Sequence, residues 1–204
     1  MRKRALRYLL ALCASGASLP ALPGTLLVLG DSISAAYGIA VEDGWVNLLR
    51  NRLQARYPNR YEVVNASVSG ETTAGGLRRL PALLEQHAPE TVIVGLGGND
   101  GLRGLPLTQM EANLTRIVEL SQKQGADVVL LGIELPHSYG AAFNRRFKQV
   151  YQKVGAAKDV PLVTLGFDLV QDRSLLQEDG IHPTEKAQPI ILEQVWPVIE
   201  SAEG

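Results

Sequence analysis

Ser32, Asp179 and His182 are residue types that together can drive a hydroxyl onto a carbonyl carbon. A serine alone is a poor nucleophile and needs a base within hydrogen-bond reach. His182 is the candidate base, because His87 and His137, the other two histidines, lack a carboxylate in a comparable motif. Asp179 stands three residues before His182, so both side chains can turn inward from one loop. The carboxylate would then hold the imidazole tautomer whose bare nitrogen faces Ser32. Acyl transfer also requires donors aimed at the charge that develops on the carbonyl oxygen. Gly70 has no side chain to keep a substrate from its N–H, Asn99 offers an amide, and the Ser32 N–H is a third donor. Each has a plainer reading alone: a surface Asp-x-x-His pair, a turn glycine, a loop Asn capping the next segment. Their weight comes from the combination.

The same residues recur at equivalent places along the chain. Gly30-Asp31-Ser32 follows the apolar run Thr25–Leu29, Ser69-Gly70 follows Tyr61–Asn65, and Gly97-Gly98-Asn99-Asp100 follows Thr91–Gly95. Asp179–His182 lies downstream of Pro161–Leu165. These runs, with Asp127–Ile133, are short and nearly continuous in Val, Leu and Ile, as strands buried on both faces must be. Helical stripes lie between them: Val46, Leu49, Leu53 and Tyr57; Met110, Leu114, Ile117 and Leu120; Phe143, Phe147, Val150 and Val154; and Gln188–Ile199. The alternation predicts an α/β fold, a three-layer doubly wound sandwich around a five-stranded parallel sheet of order 2-1-3-4-5. In that order the first strand lies between the second and third, which sets Ser32 between Gly70 and Asn99. Ligands bind beyond the carboxyl ends of such strands.

The remaining composition mainly excludes. With 204 residues, one domain is expected, spanning 22–204 behind an N-terminal segment of different character. Arg2, Lys3, Arg4 and Arg7 precede the apolar Tyr8–Ala14 and the small residues Ser15–Ser18, the pattern of a secretory signal ending near residue 21. A frayed amphipathic helix is the alternative. Removing residues 1–21 takes away four basic side chains and no acidic ones, leaving 16 Lys+Arg against 21 Asp+Glu, about −5. No basic stripe remains to meet phosphates, so nucleic acid is not an expected partner. Cys13, the only cysteine, falls inside the signal. A thiol-free chain suits an oxidising compartment, and a periplasmic or secreted monomer is expected. No apolar run reaches the roughly 18 residues of a membrane span, so stable membrane insertion is not expected. Three widely spaced histidines offer no zinc site, and no cofactor is implied. Gly95-Leu96-Gly97 is a poor dinucleotide loop because Asp100 takes the third glycine position, and no Gly-x-Ser-x-Gly elbow occurs.

Gly30-Asp31-Ser32-Ile33, Gly70, Gly97-Gly98-Asn99-Asp100 and Asp179-Gly180-Ile181-His182 resemble the four blocks of the SGNH (GDSL-type) hydrolases, in order and at similar spacings. Val64–Ser67, Gly76–Leu84, Leu135-Pro136 and Tyr139-Gly140 extend the likeness to the periplasmic thioesterase, lysophospholipase and arylesterase group of proteobacteria. The resemblance implies a flavodoxin-like fold, with Ser32 as nucleophile and Asp179 and His182 completing the triad. It also implies Ser32, Gly70 and Asn99 as the oxyanion hole. Ile33 stands where the first block has leucine. Gly95 and Glu134 depart from the expected Glu and non-acidic residue, and Gly166–Gln177 matches poorly.

The expected activity is hydrolysis of acyl esters and thioesters through an acyl-serine. A carbohydrate O-deacetylase of the same family is the alternative enzyme, against which the 5% aromatic content argues. A noncatalytic binding domain is the alternative from another class. For the acyl chain, Leu102, Leu105 and Leu107 after Asn99, and Leu135 with Pro136 after the fourth strand, should border an apolar groove. Glycines at 98, 101 and 104 would let the first of these loops close over substrate.

Overall fold

The computed structural model describes residues 23–165 and 172–202. The predicted signal segment and part of Gly166–Gln177 therefore lie outside the described residues. Five parallel strands, β1 (Gly24–Gly30), β2 (Tyr61–Asn65), β3 (Thr91–Gly95), β4 (Asp127–Ile133) and β5 (Leu162–Leu165), pair in the order β2-β1-β3-β4-β5. This is the α/β sheet that the apolar runs predict. β5 begins one residue late because Pro161 has no N–H to give, although its carbonyl still accepts from Leu130 N at 2.9 Å.

Alternate residues of each strand feed two cores, because successive side chains leave opposite faces of a pleated strand. Leu26 and Val28 of β1 meet α1 (Trp45–Arg56) and the C-terminal helix through Trp45, Leu49, Ile191 and Val195. Leu27 and Leu29 meet the other layer through Leu80, Met110, Leu114 and Phe147. That layer holds α2 (Thr73–His87), α4 (Leu107–Lys123) and α5 (Ala141–Lys158), while a short α3 (Gly98–Leu102) follows β3 and α6 is Gln188–Ala202.

The sequence patterns do not reveal α2. Gly75 and Gly76 open it and Pro81 lies inside it, all poor helix residues that mask its periodicity. It forms because Thr72 caps it, its side chain accepting from Gly75 N at 3.2 Å, and because Leu80 and Leu84 bury against the sheet. Gly76 lets the helix approach closely: a Cβ there would stand 2.3 Å from Leu96 Cδ1 and 3.6 Å from Leu29 Cδ2. Both neighbours belong to a core with nowhere to yield. Gly76→Val should therefore lower the unfolding free energy by about 1–3 kcal/mol through overpacking, measured by urea denaturation. A variant as stable as the wild type would mean the helix sits farther from the sheet.

Candidate active site

The carboxyl end of β1 carries Asp31 and Ser32 into a tight turn. Ala35 N donates to Asp31 O at 2.9 Å and Tyr37 N to Ser32 O at 3.1 Å, which fixes the serine at the sheet edge. On one side β2 leads to Gly70, and on the other β3 leads to Asn99.

His182 reaches this point from the far end of the chain. Residues 176–183 fold back on themselves, with Gln177 N donating to His182 O at 2.8 Å and Leu176 bridging antiparallel to Pro183. The turn points Asp179 and His182 the same way. His182 Nδ1 lies 2.6 Å from Asp179 Oδ2, and its Nε2 lies 2.8 Å from Ser32 Oγ. The three side chains thus form one hydrogen-bonded line. Burial raises the Asp179 carboxyl, but bonds from the His182 ring and from the His182 and Ile181 backbone N–H groups outweigh it, holding the group down at about 2. It is a carboxylate at any pH where the ring could accept a proton.

A buried carboxylate, Asp100, ties together the loops on either side of Ser32. Asp100 accepts from Thr73 N at 2.9 Å and from Thr73 Oγ1 at 2.5 Å, while Asn113 Nδ2 donates to the same hydroxyl at 3.0 Å. The Gly70 loop and the Asn99 turn are therefore joined through one anchor. Arg103 Nη2 adds a bond to Gly70 O at 2.8 Å. Gly70 itself has φ +78° and Gly97 φ +116°, left-handed conformations that favour glycine. Asn113, which matches a glycosylation pattern, is buried in this network.

Three neighbours of the site have roles that the sequence reading does not assign. Asp31, 4% exposed, sits beneath the serine, its Oδ1 accepting from Ile33 N at 3.1 Å and its Oδ2 lying 3.4 Å from Asn99 Nδ2. Burial pushes this carboxyl up to about 6, against the pull of those donors and of His182. Asp100 is a second. Tyr37 is the third, its ring centroid 4.5 Å from that of His182. The first two could have been sought as acidic residues inside the motif blocks. Tyr37 meets a residue 145 positions away, and no local pattern announces that.

The predicted acyl-contact residues separate into two clefts. Leu102, Leu135 and Pro136 line an apolar cleft with Ile33, Ile133 and Ile181. Leu105 and Leu107 do not join them; they border a different cleft with Phe143 and Arg146, where the loop after α3 leads into α4 at Leu107. Nor do the glycines at 98 and 101 make a hinge. They lie within α3, where a Cβ on Gly101 would come 2.7 Å from both Leu135 Cδ1 and Phe147 Cε2, and Tyr139 Oη pins Leu102 O at 3.0 Å. Among the described residues, no group of three His, Cys, Asp or Glu could hold a metal.

Residues 28–189 match the profile of the GDSL-like lipase/acylhydrolase family. The chain belongs to that family. This GDSL-like protein is 49% identical over 177 residues to esterase TesA of Pseudomonas aeruginosa, covering 86% of this chain and 88% of that protein. It is 44% identical over 168 residues to thioesterase 1/protease 1/lysophospholipase L1 of Escherichia coli K12, covering 82% and 79%. Among solved structures, the psychrotrophic esterase EstA from Pseudoalteromonas sp. superposes with a TM-score of 0.82 at 40% identity, covering 87% of this chain and 97% of that one. The family member described here is a hydrolase acting on esters.

Asp31 makes the fold sensitive to pH. Its carboxyl titrates near 3.8 ordinarily and at about 6 when folded, so between those values the folded chain holds a proton that the unfolded chain has lost. The stability tied to that proton is full below about pH 4 and absent above about pH 6. Asp31→Asn carries no such proton. Its unfolding free energy relative to wild type should therefore rise by up to about 3 kcal/mol between pH 4 and pH 8. Urea melts of both proteins across that range check it, and a constant difference would contradict the buried carboxyl.

Proposed function

We propose that this protein hydrolyses carboxylic esters and thioesters of medium-length acyl chains through an acyl-serine intermediate at Ser32. The unbroken line from Asp179 through His182 to Ser32, at 2.6 and 2.8 Å, carries the reading. His182 Nε2 takes the Ser32 proton as Oγ bonds to the carbonyl carbon, and the carbonyl π electrons move to oxygen. Asn99 and the Gly70 and Ser32 N–H groups are the donors for that oxyanion. When the tetrahedral centre collapses, the C–O or C–S bond breaks and the leaving atom receives the proton from His182. Water then repeats the cycle, releasing acid and free Ser32. Asp179 stays ionised throughout and holds the ring in one tautomer.

The apolar cleft beside Ile33 supports an acyl chain as the bound portion. Each methylene transferred from water to such a surface contributes about 0.8 kcal/mol until the space is filled. The basic and apolar first 21 residues support export to the periplasm, and mass spectrometry of protein recovered from that compartment would give its N-terminus.

Ser32→Ala should reduce kcat by more than about 10³-fold while circular dichroism stays unchanged. Asn99→Ala should cost roughly 10²–10³ in kcat with a smaller change in KM. Retention of more than about a tenth of the activity by Ser32→Ala would remove Ser32 from the reaction.

Acyl length provides an independent check. The value of kcat/KM should climb from acetyl to medium chains on esters and thioesters alike. Leu102→Ala should flatten that climb and leave acetyl-ester hydrolysis in place. A maximum at acetyl would favour a carbohydrate deacetylase instead.

A further inference from the structure

Aliphatic residues, prolines and one glycine line the cleft beside Ile33, with a single exception among the described residues. That exception is Glu134, which carries a charge into an otherwise apolar wall. It is also a position where the sequence departs from the non-acidic residue expected of its relatives. The Glu134 side chain is 22% exposed, and Lys148 Nζ on α5 donates to its Oε1 at 3.3 Å. Lys148 is half exposed, and ion pairs this open contribute little to folding. Stability alone therefore gives no reason for a carboxylate at this point. The pair does stand at a boundary. A second cleft of about 310 Å³ adjoins the first, with Ile133, Glu134 and Leu135 lining both, whereas Lys148 and Phe147 line the second alone.

Building on the acyl-serine reading, we propose that the Glu134–Lys148 pair closes the acyl cleft against the second one and so sets the longest acyl chain that Ser32 accepts. Ile33 follows β1 and Glu134 follows β4, with β3 between those strands. Two strand spacings separate the carboxyl ends of β1 and β4 by about 10 Å, a distance that a medium-length acyl chain spans. Up to the pair, each added methylene leaves water for an aliphatic wall and binding improves. Further methylenes must press on a carboxylate that Lys148 holds in place, stripping water from a charge that gains no partner in return. Longer chains thus lose what shorter ones gained. With an aliphatic residue in place of Glu134, the wall formed by Ile133 and Leu135 would run on into the second cleft toward Phe147.

The p-nitrophenyl esters of butanoic, octanoic and dodecanoic acid, kept below their aggregation limits, test this through kcat/KM. They share one leaving group and differ only in acyl length. The wild type should rise from butanoate to octanoate and then fall at least about tenfold from octanoate to dodecanoate. Glu134→Leu should abolish that fall, bringing dodecanoate within about twofold of octanoate or above it. Glu134→Gln, which keeps the shape and removes the charge, should shrink the fall to about threefold. A wild type that still climbs at dodecanoate overturns the proposal, as does a fall that both variants retain. So does an equal loss on all three esters in both variants, since the pair would then serve only to hold α5 against β4. Fluorophosphonate labelling of the wild type is run alongside. Failure to label Ser32 removes the acyl-serine reading together with this one, whereas labelling and a climb to octanoate, with the fall absent or unmoved by substitution, remove the barrier alone.

Discussion

The central place of β1 is the constraint on which the site depends. A parallel strand flanked on both sides must have its neighbours run in the same direction, so their carboxyl ends open onto the same edge. Ser32 leaves β1 there, with the Gly70 loop on one side and the Asn99 turn on the other. Both faces of the strand are then covered, by Leu26 and Val28 in one core and Leu27 and Leu29 in the other. Shifting β1 by one residue would exchange those faces and turn the serine away with them. Core packing and placement of the nucleophile are thus the same requirement.

Once the strands are placed, polar bonds set the finer spacing. Asp100 joins the start of α2 to α3 through Thr73, and Gln177 joins the serine turn to the histidine turn through Tyr37 and Pro183. Each anchor reaches across a gap that no single secondary element spans. Burying a carboxylate such as Asp100 is costly unless every lone pair facing protein finds a donor, and here Thr73 supplies two. Asp31 is buried where Asp179 is exposed, and it accepts fewer bonds than Asp179, so its proton affinity rises when that of Asp179 falls. Two carboxylates beside one imidazole therefore differ in charge behaviour because of their donors and exposure, not their chemical type.

Much of this was legible in the chain. Apolar runs of four to seven residues, alternating with helical stripes, announce parallel strands and the loops that end them. Ser32, Gly70, Asn99, Asp179 and His182 could be grouped because each lies in or after such a loop. Local pattern failed where tertiary packing overrode propensity. α2 was obscured by Gly75, Gly76 and Pro81, residues present because the helix lies close to Leu96 and Leu29. The glycines at 98 and 101 suggested a hinge but are small for the opposite reason, since α3 is pressed onto Ile133, Leu135 and Phe147.

By itself, then, the sequence determined the strand and helix segments, the residue types available at the sheet edge and the spacing of the Asp-x-x-His turn, because these follow from periodicity and short-range geometry. Which aliphatic side chains share a cleft was decided only by the tertiary structure. Leu102 and Leu135 come together, while Leu105 and Leu107, at the entry to α4, border a separate surface. The same holds for Asp31 beneath Asn99 and Tyr37 beside His182. Those contacts join positions 68 and 145 residues apart, and contacts at such range exist only after the sheet has brought its loops to one edge.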